Sequence, residues 1–502
     1  MKFGNLIKYR FSTSSSMRAV NMSNFGKRWT AITAPGALLF FILFISSSMF
    51  PPVSSGQNHQ YGYFNQSKPG STMVQMRQDD QSPLAAQPRA SEGGAVNVNE
   101  FPKASVVVTS TLPLYLPLVR KAPGDLKSLI NVSNFSLPIA LEGTSWNWCT
   151  WSYCYLSPRL YQEPLGANQT LVGWTDVLGD GHTSLIIGSS INRTDTFTGL
   201  SVHGLAVHSD GKFAVLLWNS STATMWLSKR NADGSEIWKT NLNSTIAHAD
   251  FDVGDSRLAY GSGQYAAYFT VYGVADPYTG HNGDQLTFID DAGNKQSGGW
   301  SWGCSHSMAE LVNYHPELKK FIPVCSSDCY ASKGILIQDS KVVYPGDGDC
   351  RGLVSAQLGQ VVPNAGGWEL VFNALNRPSY AAKGIGLATI DESFQSSFVW
   401  LTNTQGDYER DPVLARLGTT LNTDLYLVGW TTSNDGKYWL GVIDGSGNFK
   451  VGLENVTSAG IRWGNRDDSL RTRQDGSVSW VQGDAGSNVL RLFRFDSSAI
   501  LP

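Results

Sequence analysis

Leu171-Val-Gly-Trp-Thr175 and Leu427-Val-Gly-Trp-Thr431 are the same five residues, 256 positions apart. Each is followed by a second apolar run, Leu185-Ile-Ile-Gly188 in one case and Leu440-Gly-Val-Ile443 in the other. Such duplication points to a repeated unit, and a second signal gives its period. Polar residues open strand-like stretches at His203-Gly-Leu-Ala-Val, His248-Ala-Asp250, Cys304-Ser-His306, Arg351-Gly-Leu-Val, Arg410-Asp411-Pro-Val and Arg466-Asp467-Asp468. Taken at His203, His248, His306, Arg351, Arg410 and Arg466, they are 45, 58, 45, 59 and 56 residues apart. Between them lie turn signals such as Ser209-Asp-Gly-Lys212, Ala232-Asp-Gly-Ser235, Asn434-Asp-Gly-Lys437 and Gln474-Asp-Gly-Ser477, which join antiparallel strands. No stretch keeps a helical period.

Short strands repeating at this spacing resemble a β-propeller, in which each repeat is one four-stranded blade around a central channel. The six openings and one further unit from Tyr153 to Ile191 make seven blades the expectation, with six or eight as alternatives. The fold class is therefore all-β: a seven-bladed propeller over residues 142–502, preceded by a signal segment and a disordered linker. The Gly-His and Trp-Asp marks of WD repeats are missing, so the resemblance is to an architecture and to no particular family.

The N-terminal part reads differently. Residues 1–55 hold a basic start with Lys2, Lys8, Arg10, Arg18, Lys27 and Arg28, then the apolar run Ala37–Ile45 and small residues. That order describes a secretory signal peptide or an uncleaved signal anchor, and either would export the rest. Membrane contact is expected only through such an anchor. Residues 56–141 are a low-complexity linker whose polar stretch buries too little apolar surface to offset its ordering entropy. It carries a Pro-rich apolar segment, Leu112-Pro-Leu-Tyr-Leu-Pro-Leu-Val119. A net charge of −3 excludes a general nucleic-acid binder. All six cysteines, Cys149, Cys154, Cys304, Cys325, Cys329 and Cys350, fall in the exported part, where disulfides are expected. We expect Cys149 to pair with Cys154 and the other four among themselves, with a metal site at Cys325–Cys329 as the alternative.

In a propeller the residues that open each blade meet at one mouth of the channel. His203, His248 and His306 are thus candidate ligands of a single zinc, copper or iron ion, because three imidazoles leave a coordination position open for water or substrate. Asp250 is a candidate fourth ligand or tautomer-fixing partner. Without a metal, the same histidines are candidate acid–base groups, and Arg351, Arg410 and Arg466 candidate clamps for a carboxylate or sulfate. Asp411 and Asp467 could instead hold the adjacent arginines in ion pairs that join blades. His281, Trp300 and Trp302 are candidate sugar contacts, since an indole can stack on a pyranose. Asp176-Val-Leu-Gly-Asp180 resembles the calcium loop of FG-GAP and VCBS repeats, although Leu178 stands where an oxygen ligand is usual.

Downstream of residue 55, eight Asn-X-Ser/Thr sequons (Asn65, Asn131, Asn134, Asn168, Asn192, Asn219, Asn243 and Asn455) mark surface positions if the host glycosylates. The expected function is that of an exported propeller that binds or acts on carbohydrate at the channel mouth. As an enzyme it would be a hydrolase or lyase on an anionic polysaccharide. The alternative is a non-enzymatic binding scaffold, lectin-like or contacting an extracellular protein.

Overall fold

The computed structural model describes residues 125–143, 158–250, 255–305, 309–330, 332–338, 340–346, 356–376, 381–402, 409–432, 435–463 and 469–501. They form seven antiparallel sheets, six of four strands and one of five. Blades 1 to 6 take strands in chain order: 160–197, 201–241, 247–300, 310–345, 356–400 and 409–455. Their innermost strands are Leu160–Pro164, Ser201–Val207, Ser256–Gly261, Glu310–His315, Ala356–Pro363 and Glu409–Arg416. Blade 7 is built from both ends of the domain. Arg471–Thr472, Val478–Gly483 and Val489–Phe495 supply three strands, and Ile130–Ser136 adds the outermost one. It pairs from Ile130 opposite Phe495 to Ser136 opposite Val489. The propeller therefore starts upstream of residue 142, because a ring of sheets is locked when its last sheet borrows a strand from the chain's first.

The two Leu-Val-Gly-Trp-Thr strings occupy equivalent places, the second strands of blades 1 and 6 (Gln169–Thr175 and Tyr426–Thr432). Trp174 and Trp430 are both buried. The glycine is required by close approach: a Cβ on Gly173 would meet Val202 at 2.9 Å, and one on Gly429 would meet the Trp439 carbonyl at 2.8 Å. The turn signals also hold. Gly211, Gly234, Gly293, Gly436, Gly447 and Gly476 all have positive φ. In the His208–Lys212 hairpin the Gly211 amide donates to the His208 carbonyl and the His208 amide to that of Lys212. This is a type I turn closed by a left-handed glycine.

Buried side chains gather in seven apolar clusters, one at each blade–blade boundary. One joins blades 1 and 2 through Leu171, Val202 and Leu217, and another joins blades 7 and 1 through Phe135, Leu160 and Trp174. Each central strand thus buries both faces, which is why strands such as Phe213–Asn219 read as continuous apolar runs. Cys304 and Cys325 form a disulfide inside the cluster between blades 3 and 4. Cys329 is disulfide-bonded too, so neither cysteine of the 325–329 pair is a thiolate ligand. Cys149, Cys154 and Cys350 lie outside the described residues. No helix among the described residues is long and apolar enough to cross a membrane.

Candidate functional site at the start of the inner strands

The inner strands begin at one end of the channel, and several polar residues at or beside those starts are buried. Arg159 precedes the blade 1 strand, and its backbone amide donates to Glu142 Oε1 at 2.7 Å. Its Nη1 lies 3.4 Å from Nε2 of His203. His203 is fully buried and sits at a bulge between Val202 and Gly204, a device that re-aims a side chain. Its Nε2 is also 2.9 Å from Ser201 Oγ, and Trp218 packs edge-on at 5.6 Å.

Blade 3 continues the row. The Ser256 hydroxyl donates to the His203 carbonyl, so Arg257 follows His203 around the channel. Arg257 is held by Asp255 at 2.6 Å. Its inner edge is interrupted: Ala247–Ala249 and Ser256–Gly261 both pair with the long strand Gln264–Gly273, at different heights. His248 belongs to the upper piece, half-buried, with its ring tilted against Tyr272. Asp250 follows it and bonds through its backbone amide to Thr270. The 45-residue spacing from His203 thus leads to His248, whereas the blade 3 strand that meets His203 does so through Ser256.

Blade 4 supplies Glu310, completely buried. Its Oε1 accepts from Thr270 Oγ1 at 2.8 Å, while Oε2 makes no hydrogen bond among the described residues. Burial, reinforced by Asp284 and Asp255, raises its pKa well above the glutamate range. On blades 5 and 6, Gln357 Nε2 donates to Asp411 Oδ1 at 3.1 Å. Thr431 donates to Asp411 Oδ2 at 2.9 Å, and Arg410 Nε stands 3.6 Å from the same oxygen. Burial pushes Asp411 upward against the opposing pull of Arg410. Asp411 has φ 49°, a strained value for a residue with a side chain, and it falls at a bulge. The ion-pair reading of Arg410 and Asp411 describes this contact.

His306, Arg351, Arg466 and Asp467 lie outside the described residues. Among those described, the one group of three metal-ligand types with converging atoms is Asp284, Cys304 and Cys325, and its two sulfurs are bonded to each other. At His203 the adjacent guanidinium favours an anion over a metal cation. Trp300 donates to Asp284 Oδ1 at 2.7 Å. Trp302 stacks on Tyr278 at 4.6 Å and lies over Gly283, so both indoles pack within blade 3. His281 is exposed in the adjoining turn. Asp176 uses one oxygen to accept from the Leu178 and Asp180 amides and the other to bind His182 at 2.9 Å. Asp180 accepts from the Gly199 amide. That loop is a hydrogen-bonded turn whose carboxylates are already engaged.

Three arrangements escaped the sequence reading: Arg159, the Arg257–Asp255 pair and Glu310. Asp255-Ser-Arg257 does precede a strand, but the interrupted edge of blade 3 moved it off the period. A glutamate opening an apolar run at Glu310 carries no mark that separates it from a surface residue.

No known protein family matches the sequence, and no curated protein does. Solved structures match it at low identity. A protein from Lactobacillus plantarum shows 12% identity over 65% of this chain and 96% of its own, with a TM-score of 0.38. AofleA from Arthrobotrys oligospora shows 7% identity over 65% and 89%, with a TM-score of 0.33. The α-L-arabinofuranosidase from Lactobacillus brevis shows 11% identity over 58% and 89%, with a TM-score of 0.31.

Proposed function

We propose that this is an exported propeller that binds an anionic carbohydrate where its inner strands begin. The observation that carries this reading is the row Arg159, His203 and Arg257, contributed by three consecutive blades and joined by the 3.4 Å Arg159–His203 contact and the Ser256–His203 bond. Guanidinium groups recognise carboxylate or sulfate bidentately, and the His203 imidazole stands 3.4 Å from the Arg159 guanidinium. Export is supported by the Cys304–Cys325 disulfide, since such bonds persist in oxidising compartments. An extracellular protein bearing acidic groups is the alternative ligand.

Catalysis is a second reading, favoured by Glu310. A buried carboxyl whose pKa burial raises is a candidate proton donor to a leaving oxygen, and it is linked to Arg257 through Asp255 and Thr270. This reading makes the protein a hydrolase or lyase of an acidic polysaccharide. A His-ligated metal at the same end would need His306.

The test uses the full-length protein with polygalacturonate, heparin and neutral dextran on a binding surface at low and high salt. Salt-sensitive binding of an anionic polymer, reduced about tenfold or more in Arg257→Gln, supports the reading; equal binding to dextran, or no binding to any polymer, overturns it. New reducing ends or unsaturated uronate in the same incubations, lost in Glu310→Gln, would identify an enzyme.

A further inference from the structure

The opposite end of the channel holds a cavity of about 370 Å³. All seven inner strands line it near their ends, from Glu163 in blade 1 to Thr472 in blade 7. Part of its wall is a clasp between two blades. Gln360 of blade 5 donates through Nε2 to the Leu470 carbonyl of blade 7 and accepts from the Leu470 amide. Both residues line the cavity.

The charges in the wall are unequal. Glu163 and Arg471 neutralise each other at 2.9 Å. Arg416, which ends the blade 6 inner strand, is half-buried, and its Nη1 is shielded from water with no hydrogen bond among the described residues. Glu317 and Tyr426 act on it only through space, and burial lowers its pKa, a sign that the guanidinium has lost solvation without regaining it. Its backbone carbonyl is fixed by Thr472 Oγ1 at 2.6 Å, which sets the root of the side chain. Two aromatic rings stand in the same wall, Tyr260 of blade 3 and Tyr314 of blade 4. Tyr314 lies directly over Gly261 and is tied through its hydroxyl to Ser262. Asn313 is anchored to the Val361 carbonyl at 2.9 Å.

We propose that this cavity binds a small polyhydroxylated carboxylate, of the hexuronic or aldonic acid class, with the carboxylate on Arg416 and the carbon skeleton beside Tyr260 and Tyr314. Its volume suits a single small molecule and excludes a polymer. The Arg416 Nη1, with no hydrogen bond among the described residues, asks for an acceptor such as a carboxylate oxygen. The tyrosine rings match the C–H faces of such a molecule.

The experiment is calorimetric titration of the full-length protein with D-glucuronate, D-galacturonate and D-gluconate, with D-glucose as the uncharged control. At least one acid is expected to bind in preference to glucose. Arg416→Gln should weaken that binding about tenfold or more, and Arg416→Lys, which keeps the charge but not the planar fork, should fall between. Lys450→Gln, on the exposed outer strand of blade 6, should leave it unchanged. Loss of acid binding in Arg416→Gln with polymer binding retained separates this site from the polymer site, because each can fail alone. Binding of none of the acids, equal binding of glucose, or equal affinity in wild type and both folded Arg416 variants would overturn the proposal. Thermal unfolding identifies any variant that is not folded, and the lysine variant carries the test if the glutamine one is lost.

Discussion

Cys304 Sγ is bonded to Cys325 Sγ across the boundary between blades 3 and 4, closing a segment with a sequence separation of 21. The bond lies in the apolar cluster shared by the two blades, so it fastens one blade's exit to the second strand of the next. Replacing both residues by alanine should cost about 2–4 kcal/mol, the usual worth of a loop of this size. Urea unfolding under oxidising conditions measures it. A change within error would show that blade packing alone fixes this boundary.

The repeated Leu-Val-Gly-Trp-Thr strings allow a matched comparison. Gly173→Ala brings a Cβ against a side-chain methyl of Val202, which a rotamer change can relieve. Gly429→Ala meets the Trp439 backbone carbonyl as well as Leu440 and Trp463, none of which can all move. We expect Gly429→Ala to cost about 1–3 kcal/mol and Gly173→Ala less, by denaturant midpoint. The reverse order would mean that the blade 1–2 boundary is the stiffer one.

Glu369, in the second strand of blade 5, is bonded to Thr389 and Asn364. Burial pushes its pKa up from 4.5 to about 8. Its folded value is above its unfolded one, so the folded protein binds more protons between those limits. Stability should therefore be fullest below pH 4.5 as far as this group is concerned, and fall as pH rises towards about 8. Glu369→Gln should flatten that decline, by a few kcal/mol at most. Chemical denaturation of both proteins across this range is the measurement, and parallel curves would refute the assignment. Glu310 contributes in the same direction.

Removing the strand Ile130–Ser136 should open blade 7. Phe135 and Leu137 are buried between blades 7 and 1, and deleting them forfeits at least about 3 kcal/mol of apolar burial. A chain beginning at residue 138 is expected to unfold at a lower temperature or to associate through the bare edge of Val489–Phe495. Unchanged melting and a monomeric elution volume would count against that.

Repeat period and turn chemistry made the architecture legible, because both are local: a glycine after Asp marks a hairpin wherever it stands. The closing strand was not legible. Ile130-Asn-Val-Ser-Asn-Phe-Ser136 exposes four residues in succession and lacks the apolar alternation of a half-buried strand. The channel end was legible in part. His203 and the Arg410–Asp411 pair were found because they open their strands on the period. Arg257 was missed because blade 3 carries extra residues between two pieces of one edge, and the period led to His248 instead.

The pairing of Ile130 with Phe495 also governs the order in which the molecule can be assembled. Ile130 is made 365 positions before its partner Phe495. Blades 1 to 6 can form from neighbouring segments as the chain emerges, but the ring cannot shut until residues 489–495 are free. Until then the edges of both terminal blades stay open to other chains. Premature termination near the C-terminus should therefore be more damaging than the small number of residues lost suggests.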